Sequence, residues 1–190
     1  MVEINHYENE EMEMKKIGLT GLTLILLVSF GSVVNAQDPQ ATADVTAEVI
    51  KALTISPATA TATFGNVEEG TSPFLDPQGT AHTDPGTNMQ VAVFTVDGEP
   101  SSLVNVNYTN GTLTDGSGNS ITFTTQLSES ADGTQGSSTD LASDGDITLD
   151  SDGYSLYVGG GLGDLTGQTT GSYSTANVGG SAVTITVSYN

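Results

Sequence analysis

Ser181-Ala182-Val183-Thr184-Ile185-Thr186-Val187-Ser188-Tyr189-Asn190 is the stretch that decides the fold class. Val183, Ile185, Val187 and Tyr189 fall on every second position, with Thr184, Thr186 and Ser188 between them. A period of two places apolar side chains on one face of an extended strand and hydroxyls on the other. Threonine suits the second face, being β-branched and so strand-favouring, yet able to face water. The same period recurs upstream, and no window after residue 36 shows a helical repeat of 3.6.

Working towards the N-terminus, Tyr154–Val158 and Ile147–Leu149 read as strands, the first followed by the run Gly159-Gly160-Gly161. Ser128–Gly145 is polar and of low complexity, and reads as a loop. Ile121–Leu127 is a strand preceded by Asn110-Gly111 and Asp115-Gly116, the punctuation of a hairpin. Leu103–Tyr108 alternates cleanly. Met89–Val96 (MQVAVFTV) is apolar on both faces, as a central strand should be, and Asp97-Gly98 closes it. Thr61–Val67 is a shorter strand carrying Phe64 and Val67. Ala41, Ala43, Val45, Ala47 and Val49 alternate, then shift phase to Ile50, Leu53 and Ile55 before Pro57 stops the run. Short strands at intervals of about 8–12 residues predict an antiparallel β-sandwich or barrel.

The first 36 residues have a different character. Lys15 and Lys16 precede an uncharged stretch, Ile17 to Val34, containing Leu24-Ile25-Leu26-Leu27-Val28. It ends in Val34-Asn35-Ala36, small residues suited to signal peptidase, just before Gln37. This pattern predicts a secretory signal peptide, and Gly18, Gly21 and Gly31 argue against an uncleaved anchor. Glu3, Glu8, Glu10, Glu11 and Glu13 crowd an end that should be positive, so translation is expected to start at Met14 or Met12. Residues 1–36 are thus an extension plus leader, and 37–190 a single domain. The expected location is the extracellular space or cell surface of a bacterium, reached through the periplasm, with no membrane insertion after leader removal.

The 190 residues carry 23 Asp or Glu against 3 Lys or Arg, a net charge of −20. Removing the leader takes five of the acids and two of the lysines. What remains is 18 acids against Lys51, a net −17. Such a chain has no cations with which to displace counterions from nucleic acid or to bind an anionic bilayer. Cysteine and tryptophan are absent, which removes disulfides, thiol catalysis and zinc–thiolate sites.

Beginning with the alternating N-terminal segment that runs into Leu53-Thr54-Ile55, the chain resembles a known family along nearly all of residues 37–190. Phe64-Gly65, Phe94-Thr95-Val96-Asp97-Gly98, Tyr157-Val158-Gly159-Gly160-Gly161-Leu162, Gly171-Ser172-Tyr173 and Val183-to-Asn190 together resemble the bacterial domain of unknown function (DUF) 4402 family. Ser174-Thr175-Ala176 departs from it, where the family tends to place another glycine. The resemblance implies a secreted immunoglobulin-like or pilin-like sandwich with no assigned catalytic residues.

Three sets of residues are candidates for function. The alternating N-terminal segment with Ala43, Val45, Ala47 and Val49 could donate a strand to another sheet, since an open sheet edge templates pairing. The C-terminal strand with Val183, Ile185, Val187 and Tyr189 is the second assembly candidate, although Gly179 and Gly180 stand nearer to it than pilins place their glycine. Asp144, Asp146, Asp150 and Asp152, with Asp140 upstream, offer hard oxygen ligands for calcium. Their spacing lacks the Asp-x-Asp-x-Asp-Gly pattern with its distal Glu, so turn-forming surface aspartates are the favoured reading.

Catalysis has little to work with. His82 stands alone in a polar loop, no Gly-x-Ser-x-Gly turn exists, and no tryptophan can stack on a sugar. Asn107-Tyr108-Thr109 and Asn110-Gly111-Thr112 match the N-glycosylation pattern, but the leader and the resemblance are bacterial. The sequence therefore predicts a non-enzymatic secreted structural protein with no cofactor. It is read as a pilus-like or extracellular fibre subunit assembled by β-strand addition, adhesive in one version of that reading. Similar β-domains, as homo- or hetero-polymer, and a periplasmic chaperone are its expected partners. A monomeric binding module for glycan or calcium is the alternative.

Overall fold

The computed structural model describes residues 44–151 and 153–190. The leader, Ala43 and Asp152 lie outside the described residues. The chain divides between Ala47 and Glu48. Asp44–Ala47, the described part of the first unit, contains no strand.

Glu48–Asn190 is an all-β unit with no α-helix among the described residues. Its strands in chain order are β1 (Thr54–Thr59), β2 (Phe74–Leu75), β3 (Ala92–Asp97), β4 (Leu103–Tyr108), β5 (Gly111–Thr114), β6 (Ser120–Ser130), β7 (Thr139–Leu141), β8 (Gly145–Thr148), β9 (Tyr154–Gly161) and β10 (Ile185–Tyr189). One sheet runs β1-β3-β9-β6-β5, with β2 added beside β9 and β7 beside β6; the other runs β10-β4-β8. Every named strand pair is antiparallel. The sandwich expected from the alternation is the fold observed.

The core follows from that alternation. Val96, Leu127, Leu156 and Val158 of the larger sheet cluster with Val104, Val106 and Ile147 of the smaller one. A second cluster gathers Phe64, Leu75, Val91, Phe123, Tyr157 and Leu165. Within it, Phe64 and Phe123 meet edge to face, their centroids 5.9 Å apart, the arrangement that aromatic quadrupoles favour. Tyr157 alternates with Leu156 and Val158, so β9 is buried on both faces.

Five features differ from expectation. The alternating N-terminal segment is not a strand where it is described: Asp44–Leu53 has no ladder, and Val45 and Val49 are 90% and 96% exposed. Alternation supplies a face, but alanine every second residue offers little area to bury and no partner strand fixes it. Pro57 lies within β1 instead of ending it, and the register with β3 slips between Pro57 and Thr59. Proline is tolerated there because β1 is an edge strand. Thr61–Val67 is held only by isolated bridges, Thr63 to Gln90 and Asn66 to Thr87.

Ser128–Gly145 is not an open loop. It holds the end of β6, a 3-10 turn at Gln135–Ser137 and β7. Ser128 and Ser138 are buried and share a hydrogen bond of 2.8 Å between their hydroxyls. A buried hydroxyl is tolerated once paired, so polar composition alone misleads here.

The glycine run continues β9 rather than ending it. A Cβ on Gly159 would sit 2.1 Å from the Leu75 carbonyl oxygen, and one on Gly160 2.1 Å from that of Thr124. Gly160 also holds φ at +143°, which side-chain-bearing residues avoid. Gly160→Ala is therefore expected to cost about 3 kcal/mol or more in urea unfolding, whereas Gly136→Ala, with nothing within 4 Å, should stay within about 0.5 kcal/mol.

Candidate functional site

In β10, Ile185, Val187 and Tyr189 are half-buried against the core, and Thr186 and Ser188 are exposed. Val183 is half-buried just before the strand, on the same alternation. The pairing with β4 runs from Ile185 opposite Tyr108 to Tyr189 opposite Val104. Thr109 donates its N–H to Thr184 and Asn190 donates to Leu103, so the even-numbered residues spend their backbone groups on β4. By antiparallel geometry the odd-numbered ones, Ile185, Val187 and Tyr189, turn theirs to the opposite side. Among the described residues no strand pairs with that side.

Other edges are better guarded. β1 carries Pro57 and a register slip. The outer side of β5 is bridged by Ser174 and Ser181. β8 has four residues, with Asp146 among them. Prolines, irregularities, shortness and charge are the usual means of blunting an edge, and β10 has none of them.

The far end of β10 carries a clasp. The Tyr189 hydroxyl accepts the Glu99 N–H at 2.6 Å and donates to the Lys51 carbonyl at 2.7 Å. Lys51 in turn donates its N–H to Glu99 Oε2 at 2.8 Å and its Nζ to Asp97 Oδ1 at 2.7 Å. Gly98 makes room, because a Cβ there would lie 2.5 Å from the tyrosine oxygen. The ion pair is about half exposed and contributes less than about 1 kcal/mol. The hydroxyl therefore matters more. It ties the root of the N-terminal segment and the β3–β4 turn to the C-terminal strand.

At the other end of β10 a cleft of about 860 Å³ opens between Ala60–Val67 and Ala182–Ile185. Phe64, Phe123 and Leu165 line its apolar part, and Gln168–Thr175 line it with amides and hydroxyls.

The aspartates do not converge. Asp140 accepts from Gln78 Nε2, Asp146 from Asn105 and Asn190, and the Asp144 carboxylate from Asn107. Among the described residues no group of three or more metal-ligating side chains is disposed to hold an ion.

His82 and Asp76 form a structural unit that the sequence reading missed. Asp76 is buried, and its carboxylate accepts the N–H groups of Gln78, Thr80 and Ala81 and the Thr80 hydroxyl. His82 Nδ1 accepts the Asp76 N–H at 3.0 Å, so this histidine fastens the loop. Asp76-Pro77-Gln78-Gly79 was the available signal, an aspartate able to bond its own turn. Burial pushes the Asp76 carboxyl up, but the amides outweigh it and hold the group below its ordinary range. No helix among the described residues is long and apolar enough to cross a membrane.

No protein-family model matches this chain, and no curated protein is similar to it.

Two outcomes test the site's construction. Tyr189→Phe removes both hydroxyl bonds and should lower stability by about 1–3 kcal/mol in urea unfolding, while leaving the far-ultraviolet dichroism of the sheets unchanged. Asp76 has a lowered carboxyl pKa in the fold, so its contribution is present above the ordinary value of 3.8 and lost as pH falls through the folded value. Asp76→Asn should therefore cost about 1–2 kcal/mol at pH 7, and the gap from the parent should narrow by pH 3.

Proposed function

We propose that this chain is a secreted structural protein of the cell surface, a subunit of a pilus-like or extracellular fibre assembled by β-strand addition. It is related in this reading to the DUF 4402 proteins that its motifs resemble. One observation carries the proposal: the outer side of β10 is a regular, proline-free, uncharged edge that no described strand occupies. Such an edge offers N–H and C=O groups at fixed spacing to any extended segment, and exposed ones elsewhere are normally blunted.

Composition supports the same reading. A net charge of −17 on residues 37–190 opposes premature association during export, while leaving the edge itself neutral. A periplasmic chaperone that covers the edge until assembly is the expected transient partner. Catalysis has no part in this function.

Deleting Gln37–Val49 should abolish polymers while leaving a folded monomer. Val187→Pro removes an N–H that points to the open edge and not to β4, so it should block assembly and keep the β10–β4 ladder. Size-exclusion chromatography and negative-stain electron microscopy read both. Polymers undiminished in both variants, or a parent chain that stays monomeric, would reject strand addition.

A further inference from the structure

The loop that follows β2 is fastened by a bond that only a neutral imidazole can make. We propose that His82 is a proton-sensitive latch, which holds residues 76–82 against β2 while its ring is neutral and releases them when Nδ1 takes up a proton. This does not depend on the strand-addition reading.

The direction of the bond decides the protonation state. A backbone nitrogen can only donate, so the His82 Nδ1 that meets the Asp76 N–H at 3.0 Å is bare, and the ring proton sits on Nε2. Protonation turns Nδ1 into a donor facing another donor, and the bond is lost outright instead of weakened. A side-chain amide or hydroxyl in the same place would be indifferent to mild acid.

The loop has few other attachments. Its internal bonds converge on the Asp76 carboxylate, which accepts from Gln78, Thr80 and Ala81. Outward, the Pro77 carbonyl accepts Gln135 Nε2 at 2.9 Å, and Gln78 Nε2 donates to Asp140 Oδ1 at 3.2 Å, which couples the loop to the 3-10 turn and to β7. At its root β2 pairs with β9 over only two residues, and Phe74 is bridged to Thr83. A unit held by so few bonds opens locally once one of them goes. β9 keeps its ladders with β3 and β6, so the sheet survives the opening.

The neighbouring charges are acidic. Asp76 and Asp84 share the segment with His82, and Asp140 stands on β7 beside Gln78. The 3-10 turn Gln135–Ser137 and β9 contain no charged residue, so no cation is set against the imidazolium. The released loop binds one more proton than the latched one. Latching is therefore complete above the imidazole range and lost as pH falls through it. The Asp76 carboxyl is held below its ordinary range and stays ionised across that interval, so the response belongs to the ring.

Amide exchange followed by NMR on the full chain tests the latch. Between about pH 8 and pH 5 the protection factor of the Asp76 amide should fall about tenfold, the equivalent of one hydrogen bond, while amides of the β10–β4 ladder keep theirs. The midpoint should coincide with the titration of the His82 ring, read from its carbon-bound protons. His82→Ala should show at pH 8 the low protection that the parent reaches at pH 5. His82→Asn, whose amide oxygen can accept the same N–H and takes no proton in this range, should hold its protection throughout. Constant protection in the parent while the ring titrates, a midpoint away from that of the ring, or an equal fall in His82→Asn would overturn the latch.

Discussion

The fold depends on the backbone satisfaction of one strand. β9 pairs with β3 along Tyr154–Val158, with β2 at Gly160 and Gly161, and with β6 along Ser155–Gly161. In a chain without cysteine, and with no metal-binding cluster among the described residues, this triple pairing holds the larger sheet together. It also explains two of the three successive glycines in this strand: neighbouring carbonyls approach so closely that no Cβ fits at Gly159 or Gly160. Leu156 and Val158 then fill the space between the sheets on one face, while Tyr157 on the other reaches the Gly133 carbonyl with its hydroxyl. Remaining elements are arranged around that strand, and the edges it leaves at the margins become the surfaces available for interaction.

What could be read from the residues was what depends on local pattern. Leu103–Tyr108 was bounded correctly because its alternation is strict and turn residues flank it. Ser181–Asn190 announced a half-buried strand, though only a ladder partner could reveal that it lies at an edge. What was illegible depends on distant partners. Ser128 and Ser138 look like loop residues until each supplies the other's hydrogen bond. His82 looks like a stray surface residue until the Asp76 amide is found beside it. The described part of the N-terminal segment, Asp44–Leu53, shows the converse failure, since a period of two without a neighbour produces no strand there. Of the assembly candidates, Ile185, Val187 and Tyr189 fall together on one described edge, whereas Ala43 lies outside the described residues.

The same comparison separates two uses of acidity. Asp76 is sequestered and bound on several sides by amides, so its charge organises a loop. Asp140, Asp144 and Asp146 are exposed and engage only one or two amide side chains each, as solvated turn residues do. Charge density alone would have ranked the second group above the first.

The clasp at Tyr189 joins residues 138 positions apart, the penultimate residue to Lys51 near the start of the β unit. A contact of such separation closes a very large loop, and topology of this kind is slow to form. It also imposes an order in time on a chain that emerges N-terminus first. Lys51 emerges early in synthesis, yet it cannot be fastened until Tyr189 has followed it. Throughout that interval the hydrophobic side of the smaller sheet lacks β10. The protein's most aggregation-prone moment is therefore fixed by how late in the chain Tyr189 is encoded.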